Sequence, residues 1–270
     1  MLTVVAALGL IVGVILALTG AGGGVLAVPL LVFGLHQTVQ QAAPIALLAV
    51  GMAATLGAAL AHRQGDLRYK AAALMGGIGL IFSPVGLWLA HRLDPQWLNG
   101  LFAVVLLWIA RQSFRSQLNP GLPAEANETD LALLPCMRDD QSGKFIWTLP
   151  CARALAFAGA LTGLLSGLLG VGGGFVLVPA LQRFTNLSMQ SITATALGVI
   201  AVVSWFGAFH GLKTAGMDWQ LAATFSAAAL AGMVGGRGLS KRMPALLIRR
   251  LFGVLSVLVA LLMLKSVFAQ

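Results

Sequence analysis

The block Gly20-x-Gly22-Gly23-Gly24-x4-Pro29 is written a second time 150 positions later, as Gly170-x-Gly172-Gly173-Gly174-x4-Pro179. Each copy interrupts a long apolar stretch with residues that oppose a helix, glycine through its conformational freedom and proline through its missing N–H. Apolar stretches of this length belong in lipid, where an interruption is confined to positions buried in protein or facing a watery cavity.

Composition makes the membrane assignment. Of 270 residues, 59% are hydrophobic and 9% charged, and mean hydropathy is +0.92, values of an integral membrane protein. All eight acids (Asp66, Asp94, Glu125, Glu128, Asp130, Asp139, Asp140 and Asp218) fall in polar connections. The net charge of +9 does not form a nucleic-acid footprint, because basic residues sit singly or in small groups at the ends of apolar stretches, where they set topology. Met1 to Leu18 has no basic n-region and no small-residue cleavage site, so it reads as a retained span. Cys136 and Cys151 show no metal-ligand spacing and read as unreactive thiols.

Apolar segments run at about 2–19, 24–35, 41–61, 71–90 and 96–111, and again at about 152–169, 174–184, 189–209, 219–237 and 246–264. The sequence therefore predicts an all-α membrane protein of two five-segment repeats, 1–111 and 151–270. The intervening 112–150 holds Pro120, Pro123, Pro135, Pro150 and five of the eight acids, and reads as a polar linker. The same offset superposes Gly9 on Gly159, Gly13 on Gly163, Gln40 on Gln190, Gly57 on Gly207, Gly86 on Gly236 and Leu101-Phe102 on Leu251-Phe252.

Basic residues fix how the halves are oriented. Five crossings per half put 14 Lys and Arg on one face and only Arg92, Lys213 and Lys265 on the other, whereas four crossings per half give a split of 10 against 7. The positive-inside rule selects the first, an inverted repeat with both termini outside and the linker in the cytoplasm.

Segments 24–35 and 174–184 are 11 or 12 residues long, roughly 17 Å of helix against a hydrocarbon core of about 30 Å. Each glycine run then lies below the surface, with a short helix starting at Gly24 or Gly174. Unpaired N–H groups and the dipole of a helix start favour an anion, and glycine admits it close to the backbone. Gly22, Gly23, Gly24, Gly172, Gly173 and Gly174 are the candidate floor of an anion site; tight helix packing is the alternative use of the same residues. Gly9, Gly13, Gly76, Gly77, Gly79, Gly159, Gly163, Gly232 and Gly235 read as packing residues. Gly232-x3-Gly236 fits a contact within one chain or a homodimer seam.

Neutral polar side chains are the next candidates: Thr19, Gln40, Gln41, Ser166, Gln190, Ser191, Thr193, Thr195 and Ser204. Gln40 and Gln190 fit a site or a helix cap equally, and Ser or Thr inside a span often bonds to its own helix. Arg237, flanked by span residues on both sides, fits either coordination of the anion or snorkelling to the headgroups. His36, His62, His91 and His210 end spans, and the six Trp read as interface or packing residues.

Two Gly-x-Gly-Gly-Gly-x4-Pro blocks, each followed by a Gln and an Ala-Leu pair (Ala46-Leu47, Ala196-Leu197), resemble the TauE/SafE family of sulfite and organosulfur anion exporters. The resemblance spans nearly all of the chain outside the linker. It implies a small sulfur-containing anion (sulfite, sulfoacetate or a related sulfonate) carried across the bacterial inner membrane, with the glycine-rich regions as binding site. Alternating access is the expected mechanism. A proton-coupled importer of the same anions, with His62 or His210 as carrier, and an anion channel are the alternatives. The spans lack clustered His, Cys, Asp or Glu for metal or acid–base work, so neither a cofactor, a metal nor an enzyme activity is expected.

Overall fold

A computed structural model describes residues 2–20, 23–35, 37–118, 136, 148–185, 187–214, 218–240 and 245–268. Among them are ten α-helices: α1 Leu2–Thr19, α2 Ala27–Leu35, α3 Val39–Arg63, α4 Tyr69–Arg92, α5 Pro95–Leu118, α6 Leu149–Leu169, α7 Gly174–Phe184, α8 Met189–Thr214, α9 Trp219–Ser240 and α10 Ala245–Phe268. Every apolar segment read from the sequence became a helix. Most run a few residues past the apolar stretch, because a helix in lipid keeps its hydrogen bonds into the headgroup region while long basic side chains snorkel outward. Five helices (α1, α3, α4, α6 and α8) are long and apolar enough by length and composition to cross a membrane. The chain is a multi-pass membrane protein.

Local chemistry marks the helix ends. Thr38 and Gln41 form a reciprocal capping box on α3, and the Thr148 hydroxyl accepts from the Cys151 N–H at the start of α6. α1 and α6 both stop at a left-handed glycine: Gly20 (φ 75°) and Gly170 (φ 68°) donate their N–H to the carbonyls of Leu16 and Ser166, each at 2.8 Å. One expected boundary moves. The first short segment begins as a 3-10 turn, Gly23–Leu26, and becomes α-helical only at Ala27, whereas α7 starts at Gly174 as expected.

Helices of one half pack chiefly on helices of the other: α1 on α9, α4 on α6, α3 on α8 and α5 on α10. Glycines set the close approaches. Gly9 and Gly13 lie against Phe225 and Ala229, while Gly159 and Gly163 lie against Met75 and Gly79, the residues 150 positions earlier. Gly57 meets Leu197, and Gly207 meets Leu47 by the same rule. The register also gives direction: along α1 and α9, and along α4 and α6, contacts advance together, so both pairs run parallel. Along α3 and α8 they advance oppositely, Pro44 to Gly211, Gly51 to Ser204 and Gly57 to Leu197, so this central pair is antiparallel. At their crossing the Trp205 indole N–H donates to the Thr55 hydroxyl at 3.0 Å, a bond between positions 150 apart.

Gly232 and Gly236 seat α9 against Leu10, Val14 and Ala17 of the same chain, which settles that glycine pair as an internal contact. Gly77 and Gly235 have open space where a side chain would go, so they are not packing residues. The outer faces remain apolar: Leu251, Val254, Leu258, Leu261 and Leu262 of α10 are all exposed, as lipid contact requires. Trp88, Trp97, Trp108, Trp205 and Trp219 are exposed as well, and Arg92 lies 4.5 Å over the Trp88 ring.

The cysteine expectation fails. Cys136 and Cys151 form a disulfide, and both are fully buried. Cys136 also donates its N–H to the carbonyl of Phe184 at 3.2 Å, in a short parallel bridge with Thr185. The linker is thereby pinned to the first turn of α6 and the last turn of α7, elements that sequence spacing alone does not bring together.

Candidate anion site at the glycine motifs

The two glycine motifs meet at the α3/α8 crossing. A side chain on Gly24 would stand 2.9 Å from the Val171 carbonyl and 3.3 Å from Val50, and one on Gly172 would stand 2.8 Å from the Ser204 hydroxyl and 3.4 Å from the same Val50. Residues from α3, α8 and both motifs therefore converge on one point. Gly20 rests on Thr193 and Gly170 on Ala43, so each left-handed helix stop is braced by the central helix of the opposite half.

The second motif turns back sharply. Gly172 (φ 74°) and Gly173 (φ 66°) are both left-handed, which an L side chain adopts only with strain. The turn brings Gly173 against Thr162, the fourteenth residue of α6, about 20 Å along that helix. From there α7 runs antiparallel to α6 towards Cys136 and Cys151. Its first N–H groups, on Gly174 and Phe175, have no intrahelical partner, whereas that of Val176 is taken by the Gly173 carbonyl at 3.2 Å. The first motif is built differently: Gly23 packs on the backbone of Leu16 in the preceding α1, and neither Gly23 nor Gly24 has positive φ. Gly22 lies outside the described residues.

Three hydroxyls around the second motif have no hydrogen-bond partner: Thr162, Ser166 and Ser204, each 0–1% exposed. Leaving a buried hydroxyl unsatisfied costs about 1–3 kcal/mol. Thr19, Thr55, Thr185 and Ser256 avoid that cost by donating to the carbonyl four residues back at 2.7–2.8 Å, whereas Ser226 in α9 is left unpartnered as well. Ser166 and Ser204 were legible in the sequence as polar residues within spans. Thr162 was not singled out; its one signal is a hydroxyl beside Gly163 in an apolar segment.

The other candidates fall elsewhere. Gln40 and Gln190 are exposed, in the first turns of α3 and α8. Thr193 is half-buried and bonds the carbonyls of Met189 and Gln190, both at 2.9 Å. Gln41 belongs to the α3 cap. Thr195 is buried and accepts from the Arg68 N–H at 3.3 Å, supplying the start of α4 with a cap from another helix. Ser191 is buried and takes the Ser188 hydroxyl at 3.3 Å. Arg237 lies in α9, with its side chain outside the described residues. His62 is exposed, and the ring of His210 lies 3.2 Å from the Phe206 carbonyl.

The centre is closed to water: Val25, Leu26, Ala27 and Val28 on one side, and Leu169 and Leu177 on the other, are all 0% exposed. Apolar helices interlocked around two buried breaks, with neutral donors between them, form a multi-pass membrane transporter. Residues 5–263 match the sulfite exporter TauE/SafE family, and the chain belongs to it. A probable membrane transporter protein of Xylella fastidiosa (strain 9a5c) is 30% identical over 258 residues, covering 93% of this chain and 90% of its own. Probable membrane transporter protein YunE of Bacillus subtilis (strain 168) is 24% identical over 248 residues, 87% of each chain. No solved structure matches.

Proposed function

We propose that this protein exports small sulfur-containing anions, such as sulfite, sulfoacetate or related sulfonates, across the bacterial inner membrane by alternating access. The observation that carries the reading is the convergence of both glycine motifs on the buried α3/α8 crossing, where the unpartnered Ser204 hydroxyl faces Gly172 just before the start of α7. Neutral donors suit weak, reversible holding of an anion. Membership of the sulfite exporter family points to sulfite and, by chemical likeness, to the related sulfonates.

The two halves, 1–111 and 151–270, act as inverted repeats. Support comes from the antiparallel α3/α8 pair, from contacts that recur on exchanging the halves, and from the 14-against-3 distribution of basic residues. In this orientation both termini face outward and the 112–150 linker is cytoplasmic. Rocking of one half against the other exposes the centre to each side in turn. The apolar seal over the motifs favours a carrier over an open channel.

Export needs no coupling ion, because an inside-negative potential favours outward movement of a negative charge by about 2.3 kcal/mol per 100 mV, roughly fifty-fold in concentration. In proteoliposomes, efflux of sulfite or a sulfonate is expected to saturate, to show counterflow, and to rise with imposed potential. Flux that is absent for every such anion refutes the reading; flux that follows a pH gradient instead, and falls in His210→Gln, establishes the proton-coupled importer.

A further inference from the structure

We propose that the glycine turns are the moving parts of this protein: each short helix has two registers on the long helix before it, one helical turn apart, and the two halves hold opposite registers. This rests on the reading of the halves as inverted repeats that alternate access, and says what moves.

The helix stops obey the repeat, because Gly20 rests on Thr193 and Gly170 on Ala43, which are equivalent positions. Three residues later the halves part. Gly23 lies against the backbone of Ile15 and Leu16, whereas Gly173 lies against the carbonyl and methyl of Thr162, the counterpart of Val12. Positions 15 and 16 against an equivalent 12 are three to four residues apart, one turn or about 5 Å. The far ends keep the offset. Phe184 is held at the level of Cys151, because its carbonyl accepts from the N–H of Cys136, the disulfide partner of Cys151. Its counterpart Gly34 lies against the side chain of Leu8, whose equivalent, Ala158, is further into α6. The whole of α7 is therefore displaced relative to α2, towards the start of its long helix.

Backbone conformation follows the register. Gly173 has φ 66°, while Gly23, in the same Gly-Gly-Gly run, has no positive φ and opens a 3-10 turn. Glycine takes either sign of φ about equally well, so each run is free to adopt the conformation of the other. Cover differs with it: Val28 and Pro29 are buried, but their counterparts Val178 and Pro179 are half-buried.

Packing at the centre explains why the registers are opposite. Gly172 lies between Val50 and Ile200, equivalent residues of α3 and α8. A point touching both sits beside the axis that exchanges the halves, and Gly24 already meets Val50 and the Val171 carbonyl there. Only one motif fits at a time. Withdrawal of the second motif is then the condition for entry of the first, and close-packed surfaces step between discrete registers rather than sliding continuously.

Double electron–electron resonance on full-length protein in nanodiscs tests the exchange, with ketoxime spin labels on p-acetylphenylalanine so that both cysteines stay in place. Labels replacing Trp88 and Gln182 follow α7; labels replacing Gly238 and Val32, the equivalent positions, follow α2. Halves in one register would give both pairs the same distance. Wild type is expected to give principal distances about 5 Å apart, each pair carrying the other's distance as its minor component. Gly172 has φ 74°, so Gly172→Ala raises the minor component in both pairs, by at least about fivefold in ratio from the left-handed penalty alone. Gly77→Ala leaves both ratios as in wild type. If Gly172→Ala does not fold, Gly173→Ala strains the same turn and serves instead. Equal distances in wild type, or minor components unmoved in the glycine variant, overturn the two registers. A shift confined to the Trp88 and Gln182 pair overturns the coupling between halves. Sulfite and sulfonate flux that is missing while the distances exchange removes the transport reading and leaves this one; flux without exchange does the opposite.

Discussion

Replacing Gly173 by alanine tests the turn on which the centre depends. The position has φ 66°, so the substitution first incurs the left-handed penalty of an L residue, about 1–2 kcal/mol. The new methyl then meets the backbone carbonyl of Thr162 at 2.6 Å, besides that residue's methyl group. A carbonyl in the middle of α6 cannot swing aside as a side-chain end can, and overpacking of this kind costs about 1–3 kcal/mol. Together the two effects predict a loss of about 2–5 kcal/mol. Gly77→Ala is the internal reference, because Gly77 is mid-helix with nothing within 4 Å of its new methyl, and glycine to alanine there gains about 0.5–1 kcal/mol. The same chemical change thus has opposite signs at two sites. Unfolding of both variants in mixed detergent micelles, followed by circular dichroism, measures the difference. If Gly173→Ala is as stable as Gly77→Ala, the tight left-handed turn is wrong, and with it the placement of the α7 start beside Thr162.

Two further outcomes follow from contacts across the halves. Thr55→Val removes the acceptor of the Trp205 indole, so a loss of about 0.5–1.5 kcal/mol is expected; a double-mutant cycle with Trp205→Phe should return a coupling of that size, and strict additivity would deny the contact. The Cys136–Cys151 link bears on orientation, because disulfides are rare in the cytosol and persist outside it. With the linker cytoplasmic, alkylation of growing cells before lysis should recover both cysteines as thiol adducts, whereas a link intact in resting cells would put the linker on the outer face and reverse the proposed orientation.

Much of this molecule was legible in its residues. Hydropathy located the helices because a span in lipid must satisfy its backbone internally and cover its outside with hydrocarbon, and both demands act on local composition. The repeat was legible because duplication leaves the same glycines at one fixed offset, and the breaks because glycine and proline act on their own backbone. Gly174 as a helix start needed no partner to be predicted. Gly24 did: both motifs share one sequence pattern, yet the first enters its helix through a 3-10 turn packed on Leu16 while the second reverses through two left-handed glycines.

What tertiary structure alone decided is which residues meet. Interlocking α1 with α9 and α4 with α6 brings the motifs together at the α3/α8 crossing, and contacts between helices far apart along the chain leave no local trace in a sequence. The same holds for polar side chains. A serine in an apolar helix reads identically whether it bonds to its own carbonyl, as Ser256 does, or is left unpartnered beside a turn from elsewhere in the chain, as Ser204 is. Thr195 was drawn away to Arg68, and Cys136 to Cys151, for the same reason. Composition and periodicity determine where a chain sits and how often it turns; the chemistry offered at its centre is set by neighbours that only the packed fold supplies.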